Sequence, residues 1–420
     1  MGAGDLDEQL RNLVHQLDRE ASAYSNATVD ESACAEWACS RATAHTVSAA
    51  WKCALRAYDA AGGLPSGPHC NFEHDYIVSP SVDGSAKALV STIVTPVDAN
   101  NEFLPALVVA VRGSASKVDH MVNANSEPRS ALSFIGRSVD AHSGFLNSAK
   151  ALDRIVSDRM GLHIRAHQSN THIIFTGHSA GGAVASLLFL RHLSNQDGGE
   201  TSHLPGPRPI RADVPSGSAV RLSCITFGAP PVVALPLEPA SFSHLRPLGL
   251  RLNIINEFDV VSRADRLYML CLVNLLRSLY GRPALLDDAG SDKSAGGSES
   301  MDPKAGGPVA ESSGHYVEHP RSGKVWPVPP LLYHHVGARV LLLMRLDGDQ
   351  LRLKAFEVPG DKFEQLLFCR VAVHRRACYS DRIRRLEAGE LDAQAGRPDV
   401  SPSPTSSGLT WESAPGSIRS

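Results

Sequence analysis

One serine in this chain lies in a setting that favours nucleophilic chemistry. Ser179 occupies the centre of the string Gly177-His178-Ser179-Ala180-Gly181, which has the Gly-x-Ser-x-Gly pattern of a nucleophile elbow. In such a turn Gly177 and Gly181 leave open the space around an exposed serine hydroxyl. A pattern this short also occurs by chance, so its meaning depends on possible partner residues and on the elements around it.

A serine hydroxyl attacks a carbonyl efficiently only when a histidine accepts its proton and a carboxylate orients that histidine. In the α/β-hydrolase arrangement the acid and then the histidine follow the serine along the chain. Asp259 comes directly after a predicted strand at 250–255, at the sheet edge where such sites form. Glu257 and Asp265 are alternatives, although Asp265 is better placed to cap the helix that follows it.

Several later histidines are candidates for the base. His315 and His319 fall in a segment of low-complexity composition, where a histidine would not be held in place. His334 and His335 immediately precede a predicted strand, whereas His374 lies in a helical or loop segment. Spacing alone does not decide between these two places.

The elements predicted around these residues alternate between strands and helices. Ile173, Ile174 and Phe175 form a short β-prone run before the elbow, and an apolar helix continues to about His192. Asp347-Gly348 separates two apolar runs and predicts a hairpin. The other predicted strands are at 88–96, 104–111, 220–227 and 250–255. This alternation is typical of an α/β sheet.

Composition divides the 420 residues into regions. Helical spacing predicts a helical N-terminal layer over 1–63, packed on one catalytic domain over 64–388. A helical segment is expected from 362 to 387. The stretch 287–325 is rich in Gly, Ser, Pro, Asp and Lys and is predicted to be a disordered surface insertion, and 389–420 a disordered tail.

Charge and composition narrow the function classes. A net charge of −3 without a Lys/Arg block argues against binding to nucleic acid. The eight cysteines lack zinc-ligand spacing, so no metal site is expected. The acidic N-terminal sequence does not have the pattern of a secretory signal, which predicts a cytoplasmic protein with reduced thiols. The apolar run at 267–276 is too short to span a bilayer and is interpreted as a core helix in preference to an interfacial one.

Several further motifs, in order, resemble those of the class 3 lipases, the α/β-hydrolase family of fungal triacylglycerol lipases and their intracellular relatives. They are 109–114 (Val-Ala-Val-Arg-Gly-Ser), 142–146 (His-Ser-Gly-Phe-Leu), the elbow at 177–182, 226–230 (Thr-Phe-Gly-Ala-Pro), 256–261 (Asn-Glu-Phe-Asp-Val-Val), 333–337 (Tyr-His-His-Val-Gly), and the set His374, Tyr379 and Arg382. The resemblance covers about 88–383 and implies an α/β-hydrolase fold with a central, mostly parallel sheet.

The resemblance also implies roles for single residues. It makes Ser179 the nucleophile, Asp259 the acid and His374 the base, and it removes His335 from consideration as the base.

The same resemblance implies that the backbone N–H groups of Ser114 and Ala180 form the oxyanion hole. There are departures from the family pattern: Ala180 replaces a leucine, Val111 a phenylalanine and Ser262 a proline. None removes a catalytic group. The segment 115–128, where secreted relatives carry an amphipathic lid, has few large apolar residues, which argues against activation at oil droplets.

The expected function is therefore that of a serine-dependent carboxylic ester hydrolase without a cofactor. The resemblance implies lipid-like esters as substrates, either acylglycerols or phospholipid acyl esters, with peripheral contact to a lipid surface. A different class of function is an alternative: plant lipase-like immune regulators share the fold and bind partner proteins, so the chain could be a catalytically weak scaffold or regulator.

Overall fold

A nine-stranded sheet organises the part of the chain that the computed structural model describes. The described residues are 3–59, 62–81, 87–98, 100–114, 126–167, 171–194, 220–237, 249–285 and 323–391. The segments 115–125, 287–322 and 392–420 lie outside them, and with them most of the lid segment, of the predicted insertion and of the predicted tail.

The strands and helices follow one another along the chain as the alternation predicted. The strands are β1 (Ala35–Glu36), β2 (Cys70–Val78), β3 (Leu89–Pro96), β4 (Ala106–Val111), β5 (Pro128–Ser130), β6 (Asp140–His142), β7 (Thr171–His178), β8 (Val220–Phe227), β9 (Arg251–Asn256), β10 (Ala338–Asp347) and β11 (Gln350–Glu357). The α-helices are α1 (Ala3–Ala21), α2 (Arg41–Arg56), α3 (Leu132–Ile135), α4 (Ser143–Ala166), α5 (Ala180–Ser194), α6 (Arg266–Leu279), α7 (Gly360–Phe363) and α8 (Arg376–Glu387).

The large sheet has a parallel centre and antiparallel edges. Its strand order is β1-β11-β10-β9-β8-β7-β4-β3-β2, and β4, β7, β8, β9 and β10 pair in parallel. Parallel strands covered on both faces are mostly apolar, and every residue of β4 and β7 is buried. The predicted hairpin at Asp347-Gly348 joins β10 to β11. The predicted α/β-hydrolase fold is thereby confirmed.

Helices cover both faces of this sheet. Because side chains alternate along a strand, Ile173 and Phe175 of β7 point to one face and Ile174 to the other. The first two pack in a cluster with α4 and α5, whereas Ile174 packs in a cluster with α2 and α8. α5 is buried along almost its whole length, which explains why its sequence is apolar on all sides.

Two stretches differ from the predicted helices. Between α1 and α2 the chain forms short 3₁₀ turns and β1, which pairs with β11 at the sheet edge. Between α7 and α8 residues 364–371 form no α-helix. There the apolar run Leu366-Leu367-Phe368 is buried against neighbouring elements, and Arg370 forms a parallel bridge with Asp259. In both stretches tertiary contacts override the local helical pattern.

The apolar run at 267–276 belongs to α6, which begins at an Asp265 cap. One face of α6 packs in a cluster with residues of α1, consistent with the predicted core helix, while the opposite face exposes Met269 and Val273. Within the described ranges, no helix has both the length and the apolar composition needed to cross a membrane.

Candidate active site

The predicted elbow is a tight turn between β7 and α5. Ser179, the single residue between them, has φ of +59°, a left-handed conformation that costs energy for any residue other than glycine. Its N–H donates to the Phe227 carbonyl at 2.9 Å, and its own carbonyl accepts from the Gly182 N–H at 2.9 Å. The turn is thus fixed to β8 on one side and to α5 on the other.

The two glycines of the motif are required by close approach of backbone to backbone. A Cβ atom on Gly177 would lie 2.5 Å from the Gly181 carbonyl carbon, and one on Gly181 would overlap the Val111 carbonyl oxygen. Real Cβ atoms do not come this close to backbone atoms. The elbow glycines therefore allow α5 to begin directly against the end of β4.

Asp259 and His374 are brought into direct contact although they lie far apart in the sequence. The distance from His374 Nδ1 to Asp259 Oδ2 is 2.8 Å. The Asp259 side chain is fully buried, whereas the His374 side chain is 15% exposed. The other carboxylate oxygen of Asp259 accepts the N–H of Val261 at 2.9 Å. This is the geometry in which a carboxylate fixes the orientation and the tautomer of an imidazole.

Tyr379 is a third member of this hydrogen-bond network, for which the sequence indicated no role. Its hydroxyl donates to Asp259 Oδ2 at 2.7 Å and accepts the N–H of Asn256 at 3.0 Å. Burial, together with the neighbouring carboxylate, raises the pKa of Tyr379 well above its usual value of 10. The sequence feature that could have indicated Tyr379 is its position in the His374-x4-Tyr379 motif, which places it in the first turn of α8, close to the histidine.

His178, beside the nucleophile, supports the chain at His374. Its Nε2 lies 3.0 Å from the His374 carbonyl oxygen, its Nδ1 lies 3.0 Å from the Tyr58 hydroxyl, and the two imidazole rings stack with centroids 4.6 Å apart. Burial, and secondarily the neighbouring His374, lowers the pKa of His178 to about 3. A carbonyl can only accept, so the neutral ring donates from Nε2 and accepts at Nδ1 from Tyr58.

Trp51 of α2 packs behind these rings. Its indole centroid lies 4.9 Å from that of Phe227, 5.6 Å from that of His178 and 5.7 Å from that of Tyr379. Its Nε1 donates to the Ser380 hydroxyl at 3.1 Å. The N-terminal part of the chain thereby supplies a wall of the site, which no motif indicated.

Gly228 connects the motif at 226–230 to the same network. It has φ of +52°, and a Cβ atom there would lie 2.8 Å from Asp259 Oδ2 and 3.0 Å from His374 Nδ1. Gly228 directly follows Phe227, whose carbonyl accepts the Ser179 N–H. The segment Phe227-Gly228 therefore contacts both the serine backbone and the Asp259–His374 pair.

The Ser179 hydroxyl is not yet in hydrogen-bond contact with the proposed base. Within the described part of the chain, its hydroxyl makes no hydrogen bond to the His374 ring. In unliganded hydrolases this contact is often long and tightens when substrate binds. The structure thus brings Asp259 and His374 together and places the elbow beside them.

The two predicted oxyanion donors follow two neighbouring strands, β4 and β7. Ala180 is the first residue of α5, so its N–H has no acceptor within the helix. Ser114 follows Gly113, where a Cβ atom would lie 2.5 Å from the His178 carbonyl oxygen. The backbone before Ser114 therefore runs directly against the elbow.

The alternative acids are engaged elsewhere. Glu257 is buried and forms an ion pair with Arg345 at 2.6 Å, and it also accepts the Val29 N–H at 3.1 Å. Asp265 caps α6 by accepting the Tyr268 N–H at 2.8 Å, as predicted.

The alternative bases also face other partners. His335 is buried with Nε2 3.0 Å from the Ala229 carbonyl oxygen, and burial lowers its pKa to about 3. His334 lies 3.7 Å from a carboxylate oxygen of Glu364. His315 and His319 fall outside the described residues. In the ranges the structure covers, no cluster of three His, Cys, Asp or Glu side chains could hold a metal ion.

Comparison with known proteins agrees with the motifs. Residues 108–268 match the family model described as Lipase (class 3). Over 204 residues the chain is 28% identical to an Arabidopsis thaliana protein named phospholipase A1 PLIP2, chloroplastic, a match that covers 47% of this chain and 25% of that protein. The chain therefore spans about a quarter of the length of the curated relative it matches.

Solved structures give weaker matches. The native Rhizomucor miehei lipase propeptide complex superposes with a TM-score of 0.36 at 16% identity, covering 59% of this chain and 76% of that chain. Lipase II from Rhizopus niveus superposes with a TM-score of 0.33 at 14% identity, covering 53% and 74%. The sequence match, by contrast, includes the elbow and Asp259. Residues 108–268, which contain the elbow and Asp259, are therefore similar to the class 3 lipases.

Proposed function

We propose that the protein is a serine-dependent carboxylic ester hydrolase acting on lipid-like esters, with Ser179, His374 and Asp259 as its catalytic triad. The observation that carries this proposal is the 2.8 Å hydrogen bond between His374 and a fully buried Asp259, next to a serine held at φ +59° in the elbow. Strain of this kind persists only where the surrounding structure imposes it, and it is concentrated at functional sites.

In the proposed mechanism His374 Nε2 accepts the proton of the Ser179 hydroxyl as its oxygen attacks the acyl carbonyl. Asp259 accepts from Nδ1 and stabilises the imidazolium that forms. The N–H groups of Ser114 and Ala180 donate to the oxyanion of the tetrahedral intermediate. When the intermediate collapses, the ester bond breaks and His374 returns the proton to the leaving alcohol. Water, deprotonated by His374, then cleaves the acyl-enzyme and releases the carboxylic acid.

The choice of lipid-like esters is supported by the match of residues 108–268 to the class 3 lipase family model and by the name of the Arabidopsis thaliana relative. Acylglycerols and phospholipid acyl esters both contain the ester that this chemistry cleaves. A panel of p-nitrophenyl esters of graded chain length, followed by triacylglycerol and phosphatidylcholine, measures the acyl length and head group directly. We expect longer acyl chains to be preferred over acetate. Cleavage of acetate alone would contradict the assignment of lipid-like substrates.

Active-site labelling with a fluorophosphonate tests whether Ser179 is the nucleophile. We expect the wild-type protein to be labelled and Ser179→Ala to lose the label, because the reagent reacts only with an activated serine. Ser138→Ala, which changes an exposed serine outside the site, serves as the matched control and should be labelled like the wild type. Labelling that does not depend on Ser179 in the folded protein would contradict the proposal and favour the non-catalytic scaffold.

A further inference from the structure

Tyr58 lies just beyond the end of α2 and reaches the site from outside residues 108–268, which match the class 3 lipase model. Its side chain is half-buried. The hydroxyl lies 3.0 Å from His178 Nδ1 and 3.4 Å from the His178 carbonyl oxygen. Because His178 directly precedes Ser179, Tyr58 contacts the segment that carries the proposed nucleophile.

The same hydroxyl contacts the chain at the end of β4. A Cβ atom on Gly113 would overlap the Tyr58 hydroxyl, and it would also lie 2.5 Å from the His178 carbonyl oxygen. Gly113 directly precedes Ser114, the predicted oxyanion residue. The Tyr58 hydroxyl therefore lies where the oxyanion segment and the elbow meet.

A third segment covers the ring of Tyr58. The guanidinium carbon of Arg376 lies 4.3 Å from the ring centroid, which is the geometry of a cation–π contact. Arg376 comes two residues after His374, the proposed base. One tyrosine thus contacts the three segments that carry the proposed oxyanion donor, nucleophile and base.

The Tyr58 hydroxyl has a single proton, and His178 Nδ1 is its nearer acceptor. When Nδ1 accepts, the proton of the neutral His178 ring is on Nε2, which donates to the His374 carbonyl at 3.0 Å. In the other tautomer a nitrogen lone pair would face that carbonyl oxygen. The hydroxyl therefore favours the tautomer of His178 that holds the backbone of His374.

We infer that Tyr58 is a positioning residue for the reaction, and that its hydroxyl acts through His178 to hold His374 in place beside the elbow. The inference rests on the proposed function, because it concerns the catalytic step at Ser179. A residue that holds the base in place affects turnover more than substrate binding, since it sets the geometry in which the base meets the serine hydroxyl.

Tyr58→Phe removes the hydroxyl and keeps the ring that Arg376 covers. We expect kcat for a p-nitrophenyl ester to fall about tenfold, with KM changed less than about twofold, because a partner that orients a functional group typically contributes about 10- to 100-fold. A loss of folded protein alone would not produce this pattern once kcat is referred to the labelled active sites. Unchanged kcat in Tyr58→Phe would overturn the inference.

Tyr280→Phe is the matched control. It also removes a tyrosine hydroxyl that makes a hydrogen bond, in this case to Gln16 of α1 at 2.7 Å. We expect it to keep the kcat of the wild type. Unfolding midpoints show whether both variants fold. An equal loss of kcat in the two variants would contradict a specific role for Tyr58.

A double-mutant cycle tests whether Tyr58 acts through His178. His178→Phe keeps an aromatic ring beside His374 and removes both ring nitrogens, so adding Tyr58→Phe to it should cause no further loss of kcat. Losses that multiply in the double variant would show that Tyr58 acts by another route, and the inference would fail. The comparison of Tyr58→Phe with Tyr280→Phe decides the inference by itself if His178→Phe does not fold.

The rate of fluorophosphonate labelling distinguishes failure of this inference from failure of the proposed function. Labelling that depends on Ser179 and is about tenfold slower in Tyr58→Phe would support both. Equally fast labelling of wild type and Tyr58→Phe would reject the inference and retain Ser179 as the nucleophile. Absence of Ser179-dependent labelling in the folded wild type would reject the proposed function, and the inference with it.

Discussion

Asp259 is the residue on which the contacts of the site converge. Its carboxylate accepts three hydrogen bonds, from His374, Tyr379 and the Val261 N–H. Buried carboxylates are costly unless their acceptor positions are filled. The same contacts fix the plane of the carboxylate and, through it, the ring of His374. The geometry of the proposed base therefore depends on residues that never touch the substrate.

Substitution of the two candidate histidines distinguishes a catalytic from a structural role. His374→Ala should lower kcat by at least about 10³-fold, since the triad acts as a unit. His335→Ala should lower stability by about 1–3 kcal/mol, because it removes the donor to the Ala229 carbonyl, and should leave kcat of the folded fraction within a few-fold. Ester turnover and denaturant unfolding measure the two effects. The reverse pattern would overturn the assignment of His374.

Tyr379→Phe tests the support of Asp259. Loss of the hydroxyl leaves the buried Asn256 N–H without its acceptor and removes one donor to Asp259, so we expect a loss of about 1–3 kcal/mol in the free energy of unfolding. The His374–Asp259 bond remains, so kcat should fall by only about tenfold with little change in KM. A Tyr379→Phe variant as stable and as active as the wild type would show that the hydroxyl is dispensable.

The order of the motifs along the sequence predicts which residues form the site, but not which residues support them. Asp259 and His374 were assigned as a pair, and the structure places them 2.8 Å apart. Their catalytic roles remain predictions until the variants are measured. Tyr58 and Trp51 could not have been assigned from the sequence, because they reach His178 only through the packing of the α2 region against the sheet. Contacts between such distant segments leave no local pattern.

Among the secondary-structure elements, the turn after β8 is the one most closely bound to the site. Gly228 there and Gly348 in the β10–β11 hairpin both have positive φ, +52° and +60°. They differ in surroundings: a Cβ atom on Gly228 would meet Asp259 and His374, whereas one on Gly348 would meet no atom within 4 Å. A side chain at Gly348 would therefore meet only backbone strain, whereas one at Gly228 would meet backbone strain and a steric clash.

Alanine at each position measures the difference. Gly348→Ala should cost about 1–2 kcal/mol of stability from the left-handed backbone alone and should leave activity unchanged. Gly228→Ala should cost more and lower kcat/KM at least about tenfold, because the new methyl group displaces Asp259 or His374. Esterase kinetics and thermal unfolding of the two variants provide the comparison. Equal effects at the two sites would show that the close approach is unimportant.

The bounds of strands and helices can be predicted from the sequence where the apolar pattern is continuous. The strand predicted at 220–227 has the observed bounds of β8, because branched and aromatic side chains recur along it and all of its residues except Arg221 are buried. By contrast, β1 is two exposed residues that pair with the edge of β11, and it is too short to have a periodicity. The stretch 364–371 is irregular although a helix is predicted there, because its apolar run also fits a helical pattern.

The whole molecule contains several histidines that are neutral because they are buried. Burial lowers the pKa of His178, His192 and His335 to about 3 and that of His172 to about 4. An unfolded chain takes up protons on these groups below about pH 6.5, whereas the folded protein does not. The stability that they contribute is therefore fully present above about pH 6.5 and is lost as the pH falls through the folded-state pKa values of about 4 and 3.

We expect the unfolding midpoint to fall steeply between pH 6.5 and pH 5. Each of these histidines contributes about 1.4 kcal/mol per pH unit in that range. His335→Gln keeps a donor for the Ala229 carbonyl and cannot titrate, so it should reduce the slope by the share of one group. Denaturant unfolding at several pH values measures the slopes. A variant with the slope of the wild type would contradict a neutral, buried His335.

The packing of Trp51 behind the site should make its fluorescence sensitive to the site. Trp51 lies within 6 Å, centroid to centroid, of His178, Phe227 and Tyr379, and an indole reports on such surroundings through its emission. Imidazolium is a quencher of indole fluorescence, so a change of charge or position at the neighbouring histidines should alter that emission. The protein thus contains an intrinsic fluorophore beside its proposed triad, and we expect its emission to change when a natural ester acylates Ser179.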